Sequence, residues 1–189
     1  MNNNELLQTL GIKLESDIPT ELLLSENFNA QAYGLKPRQI KKIKALRDII
    51  VDYNRSIPLD KKKSVTKAET AAEMLRPVFR GLGHEEFWVL YLNRANYPIA
   101  KERLSSGGLS STIIDIPMIL RQAILNSATG LIIFHNHPSG SAIPGDADIQ
   151  ATKSLDKACR TLEIRLMDHI IITDSSFYSF NDESVENFK

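Results

Sequence analysis

The chain has 189 residues, 42% hydrophobic and 24% charged, and its 23 basic and 23 acidic side chains cancel. That composition is typical of a soluble globular protein, either one domain or one domain with a small appendage. It gives no general case for nucleic acid or an anionic membrane; the single Cys159 excludes an intrachain disulfide. No apolar run approaches the roughly 18 residues of a membrane span, and the amino terminus carries no basic–apolar–cleavage pattern. A cytoplasmic location and no membrane partner are the expectation.

Residues 1–60 read as a helical amino-terminal segment. Ile40, Ile43, Leu46, Ile49 and Ile50 recur at helical spacing, with Gly34 as a turn before them. Tyr33-Gly34-Leu35-Lys36-Pro37 leads into a basic helix carrying Arg38, Lys41, Lys42 and Lys44, a degenerate helix-hairpin-helix pattern. That motif uses a second glycine so that backbone N–H groups can approach a phosphate. Lys36 stands in its place, so a plain helical appendage is the competing reading. Residues 55–66, with Pro58 and the Lys61-Lys62-Lys63 run, read as a solvated linker.

A mixed α/β (α+β) domain is expected over residues 66–189. Thr66-Lys67-Ala68-Glu69 has the form of a capping box opening a helix to about Gly81. Phe87–Leu92 is an apolar strand, and Tyr97–Leu104 a second. Ser105, Gly107 and Gly108 form either a bend or the rim of a groove where an extended peptide adds to a strand. A short apolar helix follows over Ile116–Leu125, then a buried strand over Gly130–His135. A helix is predicted over Asp146–Leu162, with strands at Arg165–Thr173 and Phe177–Phe180. Trp88 is expected in the core, and Cys159 on the apolar face of its helix is expected to be inert.

The chemistry concentrates at His135-Asn136-His137-Pro138-Ser139-Gly140, followed by Asp148. Residues two apart on a strand share a face, so the two imidazoles can converge on one ion. Pro138 cannot continue a central ladder, which forces a turn where they project. Asp148 falls in the first turn of the next helix, where the helix dipole favours its ionised form. Asp146 beside it reads as a helix cap. Three protein ligands leave one position for water, the arrangement of a catalytic zinc site.

This motif, with Asp168-His169 beyond it, resembles the RadC-like branch of the JAB/MPN+ (JAMM) metalloprotease superfamily over roughly residues 66–183. The resemblance implies a JAB/MPN-like mixed sheet of the cytidine-deaminase type flanked by helices. It also implies zinc held by His135, His137 and Asp148, and a glutamate at the start of the first strand as general base. In RadC-like sequences the acid usually sits two residues before an apolar or aromatic one, which selects Glu85; Glu86 is its rival, and Glu102 reads as a solvent-facing charge. His84 could tune that acid. Zinc would lower the pKa of its water and polarise a carbonyl, with Glu85 moving the proton to the leaving amine. The implied substrate is peptide- or isopeptide-like.

Three positions depart from the family pattern. Gly145 stands where a serine would steady an oxyanion, so Ser139, Ser141 or a backbone N–H becomes the candidate donor. Asp115-Ile116-Pro117-Met118 replaces the usual His-Pro-Arg-Glu, and the amino-terminal helical extension is shorter. Asp168 and His169 are either hydrogen-bonded structure or supports behind the ligands. The rival functions are a DNA-repair-associated nucleic-acid-binding module and a zinc-binding scaffold without activity.

Overall fold

The five runs predicted as strands associate with one further strand into a single six-stranded sheet among the described residues of this computed structural model, which are 3–13, 18–106 and 114–188. Gly107 and Gly108 of the expected groove lie outside them. Two compact units partition the chain, one formed by residues 1–57 with 80–83, the other by 58–79 with 84–189.

The smaller unit holds α1 (Asn3–Thr9), α2 (Thr20–Leu24), a 3-10 turn at Ala30–Tyr33 and the long α3 (Pro37–Ser56). Gly34 at φ 67° ends the 3-10 turn in the left-handed conformation, which glycine adopts without a Cβ clash. Pro37 then opens α3 from its first position, where its missing N–H costs nothing. Leu7, Ile12, Ile18, Leu23, Leu35 and Ile43 form the core of this unit. The apolar stripe expected on α3 is only partly used: Ile43 is buried, whereas Ile49 is 66% exposed. The helix also absorbs Arg55 and Ser56, two residues assigned above to the linker.

In the larger unit, α4 spans Ala68–Phe79, starting and stopping inside the predicted bounds. The remaining elements are β1 (Glu86–Leu92), β2 (Pro98–Ser106), α5 (Ile116–Leu125), β3 (Gly130–Asn136), α6 (Asp146–Thr161), β4 (Arg165–Ile172), β5 (Ser176–Ser179) and β6 (Ser184–Asn187). The last strand was not predicted, because Ser184-Val185-Glu186-Asn187 has little apolar alternation; it is a mostly exposed edge paired to β5. Sheet order is β2-β1-β3-β4-β5-β6. Only β3 and β4 run parallel, joined by α6 as the crossover that parallel strands require.

One face carries Phe87, Val89, Tyr91, Leu131 and Ile133 against Ile119 and Ala123 of α5 and Leu155 and Cys159 of α6. Each such side chain fully buried contributes about 1.5–3 kcal/mol, so this layer anchors α6 and the residues at its start. The opposite face, with Leu90, Ile132, Phe134 and Ile170, is covered by α4 through Ala71, Ala72, Leu75, Val78 and Phe79. Trp88 and Cys159 are buried as expected, and burial lifts the Cys159 thiol to about 11, with Asp156 adding to the effect. The mixed α+β sheet flanked by helices is the JAB/MPN-like architecture expected above. No helix among the described residues is long and apolar enough to cross a membrane.

A bulge in β4 decides which residues face which layer. Leu131 pairs with Leu166, yet the next residue, Ile132, pairs with Asp168, so Met167 is an extra residue in the ladder. From there on, His169 shares the face of Ile133 and His135, while Asp168 turns to the other side.

Candidate metal centre

The turn forced by Pro138 and the start of α6 bring His135, His137 and Asp148 together, each offering a ligand atom within 4.8 Å of the others. The His135 Nε2 lies 3.0 Å from the His137 Nε2 and 3.2 Å from Asp148 Oδ1; His137 Nε2 is 3.8 Å from Asp148 Oδ2. Around a tetrahedral ion with bonds of about 2.0–2.1 Å, ligand atoms stand about 3.3 Å apart, and these separations bracket that value.

The atoms behind the cluster fix its proton pattern. The His137 Nδ1 lies 2.7 Å from the Ser141 carbonyl, an acceptor, so Nδ1 carries the proton and Nε2 turns a lone pair to the cluster. The His135 Nδ1 sits 2.8 Å from His169 Nε2, and His169 Nδ1 sits 2.6 Å from Thr152 Oγ1. Thr152 Oγ1 in turn donates to the Asp148 carbonyl at 2.6 Å. Only one directional assignment frees the His135 Nε2: Nδ1–H of His135 donates to His169, and Nδ1–H of His169 donates to Thr152. Two imidazole lone pairs and a carboxylate then face one another, an arrangement that a shared cation neutralises. The donor set of two nitrogens and one oxygen suits a divalent ion of the zinc type.

The electrostatics agree with ligation. Burial works to raise the Asp148 carboxyl, but a hydrogen bond from His135, positive charge at His135 and His137 and the Gly145 N–H bring it down to about 2, so the carboxylate is ionised. A cation held by the three groups would take the place of the ring protons that make those contacts. His169 is fully buried; burial first, then the charges of His135 and His137, hold it well below the usual histidine range, so it stays neutral. Its ring stacks on Phe180 at 4.6 Å, and His135 stacks on Phe87.

The structure separates the two residues read as a pair. His169 touches the candidate ligand His135. Asp168 spends its carboxylate on the Ser179 hydroxyl and the His169 and Asn181 N–H groups, at the bend after β5. Burial raises it to about 6 against the pull of those donors. Thr152, the far end of the relay, gave no signal in the sequence beyond its place one helical turn after Asp148.

Other expectations sort in the same way. Asp146 is not the cap of α6: Gly145 occupies that position, and Asp148 Oδ2 accepts the Gly145 N–H at 2.8 Å. Ser139 and Ser141 are exposed, and Ser141 contributes its carbonyl to His137. Glu86 is buried on the face away from the histidines, accepting from Trp88 Nε1 at 2.9 Å and Arg103 at 3.0 Å. His84 contacts the same carboxylate at 3.3 Å. Glu102 is not a free surface charge, since it leans on the buried Tyr91 hydroxyl at 3.5 Å and, after burial itself, helps raise that phenol.

Comparison with known proteins places this geometry in a family. Residues 65–185 match the model of the RadC-like JAB domain. A UPF0758 protein of Flavobacterium johnsoniae is 44% identical over 125 residues, covering 66% of this chain and 55% of that protein. A UPF0758 protein of Porphyromonas gingivalis is 32% identical over 186 residues, covering 96% of this chain and 80% of that one. The UPF0758 protein YfjY of Escherichia coli is 37% identical over 120 residues, 64% of this chain and 75% of its own length. The chain therefore spans just over half of the Flavobacterium relative and more of the other two. With the motif, the mixed sheet and the matched region in agreement, this chain belongs to the RadC-like JAB domain family, within a wider JAB group that includes hydrolases.

Proposed function

We propose that the protein is a zinc-dependent hydrolase of amide bonds, of the peptide or isopeptide kind, with Glu85 as general base. The observation that carries this reading is the convergence of three ligand atoms whose lone pairs are aimed inward by Ser141, His169 and Thr152. A bound zinc would acidify water and polarise the scissile carbonyl.

The rest of the chemistry falls to the chain. Glu86, Trp88 and Arg103 share one face of the sheet, because Trp88 pairs with Arg103 and Glu86 reaches both. Phe87 pairs with His135 on the other face. On this reading Glu85, one residue before β1, continues the alternation to the ligand side, while the Glu86 carboxylate is already engaged by Arg103 and Trp88. Glu85 takes a proton from the attacking water and delivers it to the departing nitrogen. His135 and His137 are oriented by their Nδ1 partners, His169 and the Ser141 carbonyl. Supporting context comes from the family, whose wider group includes hydrolases.

A second reading, a metal-binding scaffold without turnover, is favoured by Gly145. Its N-cap position offers no hydroxyl, and loss of one oxyanion donor typically costs about 10²–10³ in rate. Elemental analysis of protein purified without chelator tests the shared part of both readings. Wild type is expected to hold one zinc, with His135→Ala and Asp148→Ala holding none; a zinc-free wild type sinks both. Cleavage of a peptide and isopeptide library that Glu85→Gln abolishes separates the enzyme from the scaffold.

A further inference from the structure

The residue between the two histidines occupies an unusual place in the ladder. β1 and β3 pair antiparallel up to Phe87 and His135, and the next pair would be Glu86 with Asn136. There the side chain of Asn136 takes over from its backbone. Its Oδ1 accepts the Glu86 N–H at 2.8 Å, and its Nδ2 donates to the His84 carbonyl at 2.9 Å. Those two peptide groups flank Glu85. A carboxamide offers one acceptor and two donors in a plane, so it completes both bonds at once. An ionised Asp lacks the donor, and Ser or Thr must serve both partners through one oxygen. Asn136 is only 4% exposed, so water does not compete for either bond.

We propose that Asn136 is a positioning residue that locks the backbone of Glu85 in register with the metal ligands on either side of it in sequence. The inference rests on the reading of Glu85 as the base. His135 and Asn136 lie on one strand and His137 follows directly, so a shift of the ligands along that strand carries the segment 84–86 with it. The opposite side of the segment is pinned as well, by Glu86 against Trp88 and Arg103. Glu85 is the residue whose two flanking peptide groups Asn136 holds, and its carboxylate is the group this clamp would keep in place beside the ligands. The loop after β3 thus supplies the metal ligand His137, while Asn136, one residue earlier, supplies the clamp for the base.

The test uses the full chain loaded with cobalt(II), and reads metal stoichiometry together with the pH midpoint of the visible spectrum. Four proteins are compared: wild type, Glu85→Gln, the nearly isosteric Asn136→Leu, and the double variant. A carboxylate a few ångströms from an ionising centre shifts its midpoint by about one unit or more, a tenfold change in proton affinity, so Glu85→Gln should move it. Asn136→Leu should keep one equivalent of cobalt and move the midpoint in the same direction by most of that distance. The double variant should move no further than Glu85→Gln alone, because a residue acting only through Glu85 has nothing left to act on. Asn136→Ala serves if the leucine does not fold, with the same expectation. An unchanged midpoint in a cobalt-loaded Asn136 variant, beside a moved one in Glu85→Gln, overturns the clamp and leaves the base intact. Loss of cobalt in both folded Asn136 variants also overturns it, assigning the residue to the ligand strand instead. If Glu85→Gln itself leaves the midpoint in place, the base reading fails and the clamp fails with it.

Discussion

His169→Phe isolates the hydrogen-bond relay behind the metal ligands from the packing around it. Phenylalanine keeps the stacked contact with Phe180, whose ring lies 4.6 Å away and 8° from parallel, but removes both ring nitrogens. His135 Nδ1–H then loses its acceptor at a site that is 4% exposed. A buried donor left unpaired costs about 1–3 kcal/mol. That penalty falls on the proton pattern in which Nε2 is free to ligate, so it weakens metal binding directly. Loss of a hydrogen-bonding group behind a ligand typically lowers metal affinity about 10–100-fold, which is about 1.4–2.8 kcal/mol, the same size as the penalty for the orphaned donor. Zinc affinity measured by competition with a chromogenic chelator should therefore fall 10–100-fold in His169→Phe. Thr152→Val, which cuts the relay one bond further back, should fall less. A zinc affinity within about twofold of wild type in folded His169→Phe would refute the relay, given that His135→Ala abolishes binding.

Gly145→Ser should be accommodated, because its Cβ would meet only Asp148 Oδ2, at 3.5 Å, and serine is preferred over glycine at a helix N-cap by a few tenths of a kcal/mol. If the missing hydroxyl limits turnover, the variant should cleave the best library substrate up to about 10²-fold faster; a folded, zinc-loaded variant with no gain shows that another donor already serves. Glu86→Gln breaks the pair with Arg103 while keeping the shape. It should lower stability by about 1–3 kcal/mol, less than a fully buried pair because Arg103 is 40% exposed, seen as a melting temperature lower by about 2–10 °C. Zinc stoichiometry should not change in Glu86→Gln, and a loss of zinc there would contradict its placement away from the ligands. Asp168 is raised by burial to about 6 from 3.8, so the folded state holds its proton more tightly than the unfolded one. Stability from this group is present at low pH and falls as pH rises from about 4 through 6, by up to about 3 kcal/mol. Denaturation of metal-free protein across that range should show the decline and Asp168→Asn should flatten it; equal slopes in both proteins would count against the burial assignment.

Much of the fold was legible because its signals are local. The runs at β1 and β3 are continuously apolar, and the α5 and α6 faces repeat at helical spacing, so each element announces its type within a dozen residues. β6 escaped because an exposed edge strand needs no apolar pattern of its own; its partner β5 organises it. The stripe on α3 misled in the opposite direction, since periodicity shows which residues could be buried and leaves open whether anything covers them. Ile49 carries the pattern and stands in solvent.

At the site, the sequence by itself singled out the three candidate ligands that the structure brings together. His135 lies on β3 and His137 one residue past its end, close enough to share a side even where the ladder stops, and Asp148 falls in the first turn of α6. The Gly145 departure was equally visible as a missing side chain. Only the tertiary structure decided where the neighbours lie and what they touch. Glu85 and Glu86 differ in sequence by nothing that chemistry can read; the cross-strand pairing of Trp88 with Arg103 sends Glu86 to the far face. Asp168 and His169 were likewise a pair until one extra residue, Met167, reversed the alternation of β4 and sent His169 to the ligands and Asp168 to Ser179. Strand parity is a relation between two chains of the ladder, and a bulge changes it without leaving a mark in the composition of either.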